Sequence, residues 1–163
     1  MKYIPKTAIR YDTNFEDDIL TIEWNESELE DDQLKNYKAK AEYYRAAVQY
    51  IRMRHPNAQF YVFTNDTEWT GKWILENFVG DFTLIEGTSE ETGYLDLMLM
   101  SRCKHQIMAN SSFSWWAAFI NENPDKLVTA PSRWVNGVPS EDVYVKGMTL
   151  IDEKGRVERT IKE

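Results

Sequence analysis

The sequence lacks the features that mark disulfide-rich, metal-binding and membrane-spanning proteins. It contains a single cysteine, Cys103, so no disulfide can form within the chain. Two histidines and that cysteine do not follow the spacing of a ligand set, so a zinc site is not expected. No apolar run approaches the ~20 residues that a membrane-spanning helix needs, and the first residues carry no apolar signal segment.

Basic residues are also too few for the chain to bind nucleic acid as a bulk polyanion. The 19 lysines and arginines against 27 acidic residues give a formal net charge of −8, whereas neutralising phosphates requires excess positive charge. Residues 15–32 hold nine of the acids and no base, which leaves 18 acids and 19 bases elsewhere. Such a block is typical of a solvated connector, with an acidic docking surface as the alternative. Its apolar residues between Ile19 and Trp24 predict that part of it packs as an edge strand.

The residues that are present suffice for one folded domain in which strands and helices alternate. The chain has 163 residues, of which 42% are hydrophobic and 13% aromatic. Patterns typical of strands lie at about residues 6–10, 60–63, 82–85, 106–109, 127–130 and 148–151, and patterns typical of helices at about 38–55, 68–78, 94–102 and 110–121. This alternation predicts an α/β fold, a Rossmann-like parallel sheet with helices on both faces. We divide the chain into three parts. Residues 1–36 hold a candidate first strand and the acidic connector, residues 37–151 form the Rossmann-like domain, and residues 152–163 are a charged tail.

Two loops of the predicted sheet carry polar residues where ligands bind in open α/β sheets, beyond the C-terminal ends of strands. Asp66 follows one strand, and Asn110-Ser111-Ser112-Phe113 follows another and opens a helix. Free backbone N–H groups and the positive end of the helix dipole, with two hydroxyls and an amide, suit a phosphate. Ordinary N-capping by Asn110 or Ser111 explains the same residues without a ligand. The residues alone leave both interpretations open.

Adjacent aromatic and isolated titratable residues give weaker signals. Trp115 and Trp116 occupy neighbouring helical positions about 100° apart, so at most one of them reaches a ligand. His105 precedes a predicted strand and fits a structural role better than a catalytic one. Cys103 is expected to behave as a small buried hydrophobic residue.

The most specific pattern in the chain is LMSRCKHQIMANSSFSWWAAF at residues 99–119. In this stretch the sequence resembles glycosyltransferase family 11, the α-1,2-fucosyltransferases of bacterial surface-polysaccharide pathways. Residues 60–69 and 128–134 agree with the same family in order and spacing. The resemblance covers about residues 37–151, which correspond to the family's C-terminal, donor-binding half.

The resemblance implies a fold like the C-terminal domain of a GT-B-type glycosyltransferase. It implies inverting transfer of fucose from GDP-fucose to a galactoside-type acceptor in α-1,2 linkage, in surface polysaccharide or O-antigen synthesis. No metal or other cofactor is implied. The implied partners are a GDP-sugar and an oligosaccharide or lipid-linked glycan, with no nucleic acid, and the implied location is the cytoplasm, either free or peripheral at the inner face of the membrane.

The resemblance also implies which residues of this sequence contact the sugar-nucleotide donor. Asp96 matches the residue that helps recognise guanosine, the two serines at 111 and 112 match residues at the diphosphate, and Asp66 lies at the rim of the same crevice. The full predicted donor-binding set is Asp66, Asp96, Asn110, Ser111, Ser112, Phe113 and Trp115.

One family motif has no full match in this chain. It is His-x-Arg-Arg-x-Asp-Tyr, whose arginine clamps the β-phosphate as negative charge builds there. Residues 8–12, Ala-Ile-Arg-Tyr-Asp, fall at the expected place as a shortened remnant and make Arg10 the catalytic candidate. A partner chain would then supply the missing N-terminal half. The open alternatives are an active transferase, a non-catalytic GDP or GDP-sugar-binding module or degenerate fragment, and a relic whose serines only cap a helix.

Overall fold

Strands and helices alternate along the chain in a computed structural model, which describes residues 2–5, 19–24, 33–64, 66–86, 90–134 and 141–162. The strands of these residues are β1 (Lys2–Pro5), β2 (Ile19–Trp24), β3 (Gln59–Thr64), β4 (Phe82–Glu86), β5 (His105–Ile107), β6 (Val128–Pro131), β7 (Met148–Ile151) and β8 (Val157–Thr160). The helices are α1 (Gln33–Arg52), α2 (Thr67–Asn77), α3 (Gly93–Arg102) and α4 (Ser112–Ile120). The predicted α/β class is therefore confirmed.

All eight of these strands join one sheet in the order β1-β4-β3-β2-β5-β6-β7-β8. Every neighbouring pair is parallel except β7 and β8, which are antiparallel. The prediction of an edge strand between Ile19 and Trp24 is wrong, because β2 pairs with β3 on one side and β5 on the other. A run of β-forming residues with partners on both sides is an interior strand, and here it divides the acidic block.

The helices cover both faces of the sheet, and the alternation of side chains along β3 separates the two faces. Phe60 belongs to a core cluster with Ile51 of α1 and Trp73 of α2. Phe63, on the opposite face of the same strand, belongs to a second cluster with residues of α3 and α4. A third cluster joins α4 to β6 and β7. Parallel strands buried on both faces explain the nearly continuous apolar runs in the sequence.

Helix α1 has the predicted apolar stripe but different ends. The helix begins at Gln33, ahead of the predicted start at 38, and ends at Arg52, short of the predicted end at 55. It ends there because Met53 and Arg54 already form a turn ahead of His55 and Pro56. The stripe residues with described side chains, Ala41, Tyr44, Val48 and Ile51, are all buried.

The two ends of the chain contribute strands to the same sheet. The strand predicted at residues 6–10 lies outside the described residues, whereas Lys2–Pro5 forms β1 beside β4. The charged tail includes β8, whose side chains are exposed. The division at 36/37 and 151/152 stays a prediction. No helix among the described residues has the length and apolar character to cross a membrane.

Candidate functional site

The strand order creates one point where the direction of winding reverses, between β2 and β5. From β2 the chain passes through α1 to β3 on one side, and from β5 it passes through α4 to β6 on the other side. The two helices lie on opposite faces, since α1 and α4 belong to core clusters on different sides of the sheet. Ligands of open α/β sheets bind in the crevice at such a switch point, beyond the C-terminal ends of the strands.

The start of α4 lies at this crevice, and its two serines have different roles. Ser111 is the N-cap residue, with extended backbone angles (φ −142°, ψ 134°), and its hydroxyl accepts a hydrogen bond from Phe113 N at 3.1 Å. Ser112 is exposed, and its hydroxyl has no hydrogen-bond partner among the residues that the structure describes. The capping interpretation therefore holds for Ser111, while the hydroxyl of Ser112 remains available at the end of the helix.

The positive end of α4 is not offset by an acid in its own first turn. Helix α2 has Asp66 as its N-cap and Glu68 in its first turn, and α3 has Asp96 in its first turn, but α4 has none. At the other end of α4, Lys126 Nζ donates to Ala118 O at 2.8 Å and to Asn121 O at 2.6 Å. Partial burial lowers the pKa of this lysine. The cation at the C-terminus complements the dipole, and the N-terminus is left to attract an anion.

Asn110 joins the loop before α4 to the loop after β6. Its Nδ2 donates to Arg133 O at 2.6 Å and to Trp134 O at 2.7 Å. The Arg133 side chain is 71% exposed, and its Nε lies 4.0 Å from a carboxylate oxygen of Glu153, which follows β7. The loop that carries Arg133 is thus fixed against the start of α4 by two hydrogen bonds.

Three buried side chains support the ends of β5 and β6 beneath this site. The Tyr43 hydroxyl donates to two backbone carbonyl oxygens, Met108 O at 2.7 Å and Thr129 O at 3.1 Å. Burial raises the pKa of Tyr43 far above its ordinary value. Ser114 Oγ accepts from Ala109 N at 3.2 Å. Gln106 Nε2 donates to Met100 O of α3 at 2.9 Å and to Ala117 O of α4 at 3.2 Å. These bonds tie α1, α3 and α4 to the strands beneath the site.

The two predicted carboxylates lie at the N-cap of α2 and in the first turn of α3, helices that pack on opposite faces of the sheet. Asp66 follows β3, whose Thr64 pairs with Trp24 at the end of β2, and its Oδ1 accepts from Trp69 N at 3.0 Å as the cap of α2. Asp96 lies on α3, which packs beside α4, and is 1% exposed. That Asp66 lies at the crevice rim and that Asp96 contacts guanosine both stay predictions.

The two adjacent tryptophans of α4 differ in burial, as their neighbouring helical positions predict. Phe113 is half-buried against the cluster of α3 and α4. Trp115 is half-buried, stacks on Phe119 with 5.1 Å between ring centroids, and its Nε1 donates to Val143 O at 2.7 Å. Trp116 is 51% exposed. That Phe113 or Trp115 contacts a sugar-nucleotide donor also stays a prediction.

The remaining candidates lie away from this edge or outside the description. Arg10 lies outside the described residues, so its role stays a prediction. Cys103 is buried, as predicted, and burial raises its pKa. His105 is buried at the start of β5, the opposite end from Asn110, where its Nδ1 accepts from Leu127 N at 3.0 Å. In the part of the chain that is described, no three His, Cys, Asp or Glu residues are grouped as metal ligands would be.

Sequence reasoning missed several residues of the site, among them Tyr43, Arg133 and Ser114. Tyr43 and Arg133 lie on α1 and after β6, and only the folded sheet brings them to the loop at Asn110. Ser114 had a local signal, since it lies three residues after the N-cap, where a side chain can bond back to the turn.

Comparison with known proteins gives consistent matches. The sequence model described as glycosyl transferase family 11 matches residues 30–146. An alpha-1,2-colitosyltransferase of Escherichia coli is 39% identical over 94 residues, which cover 56% of this chain and 31% of that protein. The O-antigen biosynthesis glycosyltransferase WbnK of Escherichia coli is 32% identical over 96 residues, 59% of this chain and 31% of that protein.

A human relative matches a shorter segment. Galactoside alpha-(1,2)-fucosyltransferase 1 of Homo sapiens is 35% identical over 78 residues, which cover 48% of this chain and 21% of the human protein. The matched segment thus spans less than a third of each of these relatives. No solved structure matches the chain significantly.

Proposed function

This chain belongs to glycosyl transferase family 11, and from that premise we propose that it is the donor-binding part of an α-1,2-glycosyltransferase. The proposed reaction transfers fucose, or a related sugar, from a GDP-sugar to a galactoside-type acceptor. The activities in the names of the matched relatives, α-1,2-colitosyl and α-1,2-fucosyl transfer, support this linkage and sugar class. The name of a third, in O-antigen biosynthesis, supports a surface glycan as the product.

The observation that carries the proposal is the start of α4 at the switch point between β2 and β5. The exposed Ser112 hydroxyl and the backbone N–H groups of the first turn offer donors for diphosphate oxygens. The absence of an acid from the first turn of α4 leaves its dipole to stabilise the negative charge. As the bond from fucose to the β-phosphate breaks, charge grows on that phosphate, so donors fixed in place there favour the transition state.

The finer parts of the proposal follow from the family. We propose that the sheet corresponds to the C-terminal domain of a GT-B-type enzyme, with an oligosaccharide or lipid-linked glycan entering from a second domain or a partner chain. Backbone donors and cationic side chains would take the place of a metal at the diphosphate. A cytoplasmic protein, free or at the inner membrane face, would meet a nucleotide-sugar donor.

The proposal predicts that GDP stabilises the chain. A ligand that binds only the folded state adds about 2.7 kcal/mol to the free energy of unfolding at a concentration 100 times its Kd. Thermal unfolding with GDP, and with ADP as the matched control for the base, measures this effect. A rise in Tm with GDP and a smaller one with ADP is expected. No rise at millimolar GDP would contradict the proposal.

Catalysis and binding are separated by a second assay on the same chain. Hydrolysis or transfer from GDP-fucose, followed as GDP release, is expected if the chain holds every group that the reaction needs. GDP binding without release of GDP from the donor would identify a non-catalytic binding module. Arg10→Ala tests the catalytic candidate, because an arginine that clamps the β-phosphate should be needed for both turnover and GDP affinity. Unchanged GDP affinity would show that Arg10 is not the clamp.

A further inference from the structure

We propose that Asn110 is a positioning residue, which holds the loop after β6 against the start of α4 so that Arg133 supplies the positive charge for the donor's diphosphate. The inference rests on the proposed function, since it specifies how a diphosphate would be held at the switch point. It changes the role of Asn110 from a direct donor contact to a support. It also assigns a role to Arg133, which the predicted donor-binding set did not include.

The hydrogen bonds of Asn110 leave its amide no proton for a ligand. A carboxamide NH₂ has two donors and no third. Both are directed to backbone carbonyls, Arg133 O at 2.6 Å and Trp134 O at 2.7 Å, although the side chain itself is exposed. A phosphate can receive nothing from this group unless one of these bonds breaks. The amide therefore acts on the ligand through the loop that it holds.

The same two bonds set the position of the arginine. The carbonyl of Arg133 lies within hydrogen-bond distance of a side chain that directly precedes the N-cap of α4. Val128–Pro131 pairs with β5 on one side and β7 on the other, so this loop leaves the sheet at the same edge as the switch point. An arginine side chain anchored there can reach a ligand at the first turn of α4.

The Arg133 guanidinium is free to turn toward an anion. Its contact with Glu153 is 4.0 Å long, and the two side chains are 71% and 37% exposed. Exposed ion pairs of this kind contribute little to stability, so a diphosphate can replace the carboxylate at small cost. A guanidinium donates two parallel hydrogen bonds to phosphate oxygens, which a single ammonium cannot do.

A double-mutant cycle tests whether Asn110 acts through Arg133. Calorimetric titration gives the affinities of the full chain, Asn110→Ala, Arg133→Ala and the double variant for GDP and for GMP. We expect Arg133→Ala to weaken GDP about tenfold or more, as for a charged hydrogen bond, and to leave GMP nearly unchanged. We expect Asn110→Ala to weaken GDP in the wild-type chain and to add almost nothing when Arg133 is already replaced.

Control variants separate charge, position and folding. Arg102→Ala removes an exposed arginine at the C-terminal end of α3, before β5 begins, and should leave both affinities unchanged. Arg133→Lys keeps the charge without the paired donors and should restore part of the GDP affinity. Asn110→Leu keeps the approximate size of the side chain without donors or a new charge, so it should weaken GDP as Asn110→Ala does and replaces that variant in the cycle if Asn110→Ala fails to fold.

The outcomes distinguish this inference from the proposed function. If the losses from Asn110→Ala and Arg133→Ala multiply, Asn110 contacts the ligand on its own and the positioning role is wrong. If Arg133→Ala leaves GDP affinity unchanged, the assigned cation is wrong. Either result overturns the inference while the wild-type chain still binds GDP. Failure of the wild-type chain to bind GDP contradicts the proposed function itself.

Discussion

At the scale of single residues, the two adjacent serines at the start of α4 differ, since one caps the helix and the other exposes its hydroxyl. Ser111 accepts a hydrogen bond from the backbone of its own helix, whereas the Ser112 hydroxyl has no partner among the described residues. An N-cap stabilises the fold whether or not a ligand is present. A hydroxyl that makes no hydrogen bond to the described part of the fold can contribute to binding at little cost in stability.

Replacing these two serines separately should therefore give opposite results. Ser111→Ala should lower the free energy of unfolding by about 1 kcal/mol, the usual cost of losing an N-cap. Ser112→Ala should leave stability nearly unchanged and weaken GDP binding by about 1–2 kcal/mol, roughly five- to thirtyfold. Urea unfolding and calorimetric titration of both variants measure the two quantities. Loss of stability alone in Ser112→Ala would favour the view that the serines only cap the helix.

Local pattern was enough to predict the loop residues but not their partners. The order Asn110-Ser111-Ser112 before an apolar helical run indicates a helix start, and the structure has its cap at Ser111. The bonds from Asn110 to Arg133 and from Tyr43 to Met108 join residues that are 23 and 65 positions apart. No local signal specifies such pairs, because they depend on which strands lie side by side.

At the scale of elements, β2 shows that the sequence can predict a strand without predicting its place in the sheet. Its apolar residues indicated a strand, but nine acids in the same stretch favoured an edge position beside a connector. The structure places it between β3 and β5. Strand order is set by crossover connections and long-range pairing, which the charge of a stretch does not specify. The predicted alternation of strands and helices is therefore confirmed, whereas the sequence did not indicate between which strands the switch point lies.

A buried carboxylate in the turn between β7 and β8 gives this region a pH-dependent stability. Asp152 accepts hydrogen bonds from the backbone N–H groups of Lys154 and Arg156, at 2.9 and 2.8 Å, and from Arg156 Nε at 2.6 Å. Burial raises the pKa of Asp152, but these bonds outweigh it and hold the pKa below its ordinary value. The stability that it contributes is present above the unfolded pKa of about 3.9 and is lost as the pH falls through the lower folded value.

Asp152→Asn should accordingly destabilise the chain at neutral pH and matter less in acid. We expect a loss of about 1–3 kcal/mol near pH 7, the cost of weakening buried hydrogen bonds to a charged group. The difference from wild type should shrink as the pH falls below about 4. Urea unfolding across this range measures it, with Asp125→Asn, an exposed turn aspartate, as the control. A difference that is constant with pH would show that the charge of Asp152 contributes nothing.

At the scale of the whole molecule, the distribution of charge agrees with an anionic ligand despite the net charge of −8. The excess acid lies in residues 15–32, and the rest of the chain is close to neutral. Within the described residues, the start of α4 combines a helix dipole, an unused hydroxyl and the tethered loop of Arg133 at the sheet's switch point. These features support the proposed function at this edge of the sheet.

The central claim is that a GDP-linked diphosphate binds at the first turn of α4. Titration of the ¹⁵N-labelled chain with GDP, followed by backbone amide resonances, tests it most directly. Saturable shifts should be largest at the amides of residues 111–114, with smaller changes at Arg133 and Trp134, and Ser112→Ala should raise the concentration needed. Shifts that saturate only at another edge of the sheet, or none at millimolar GDP, would contradict the claim.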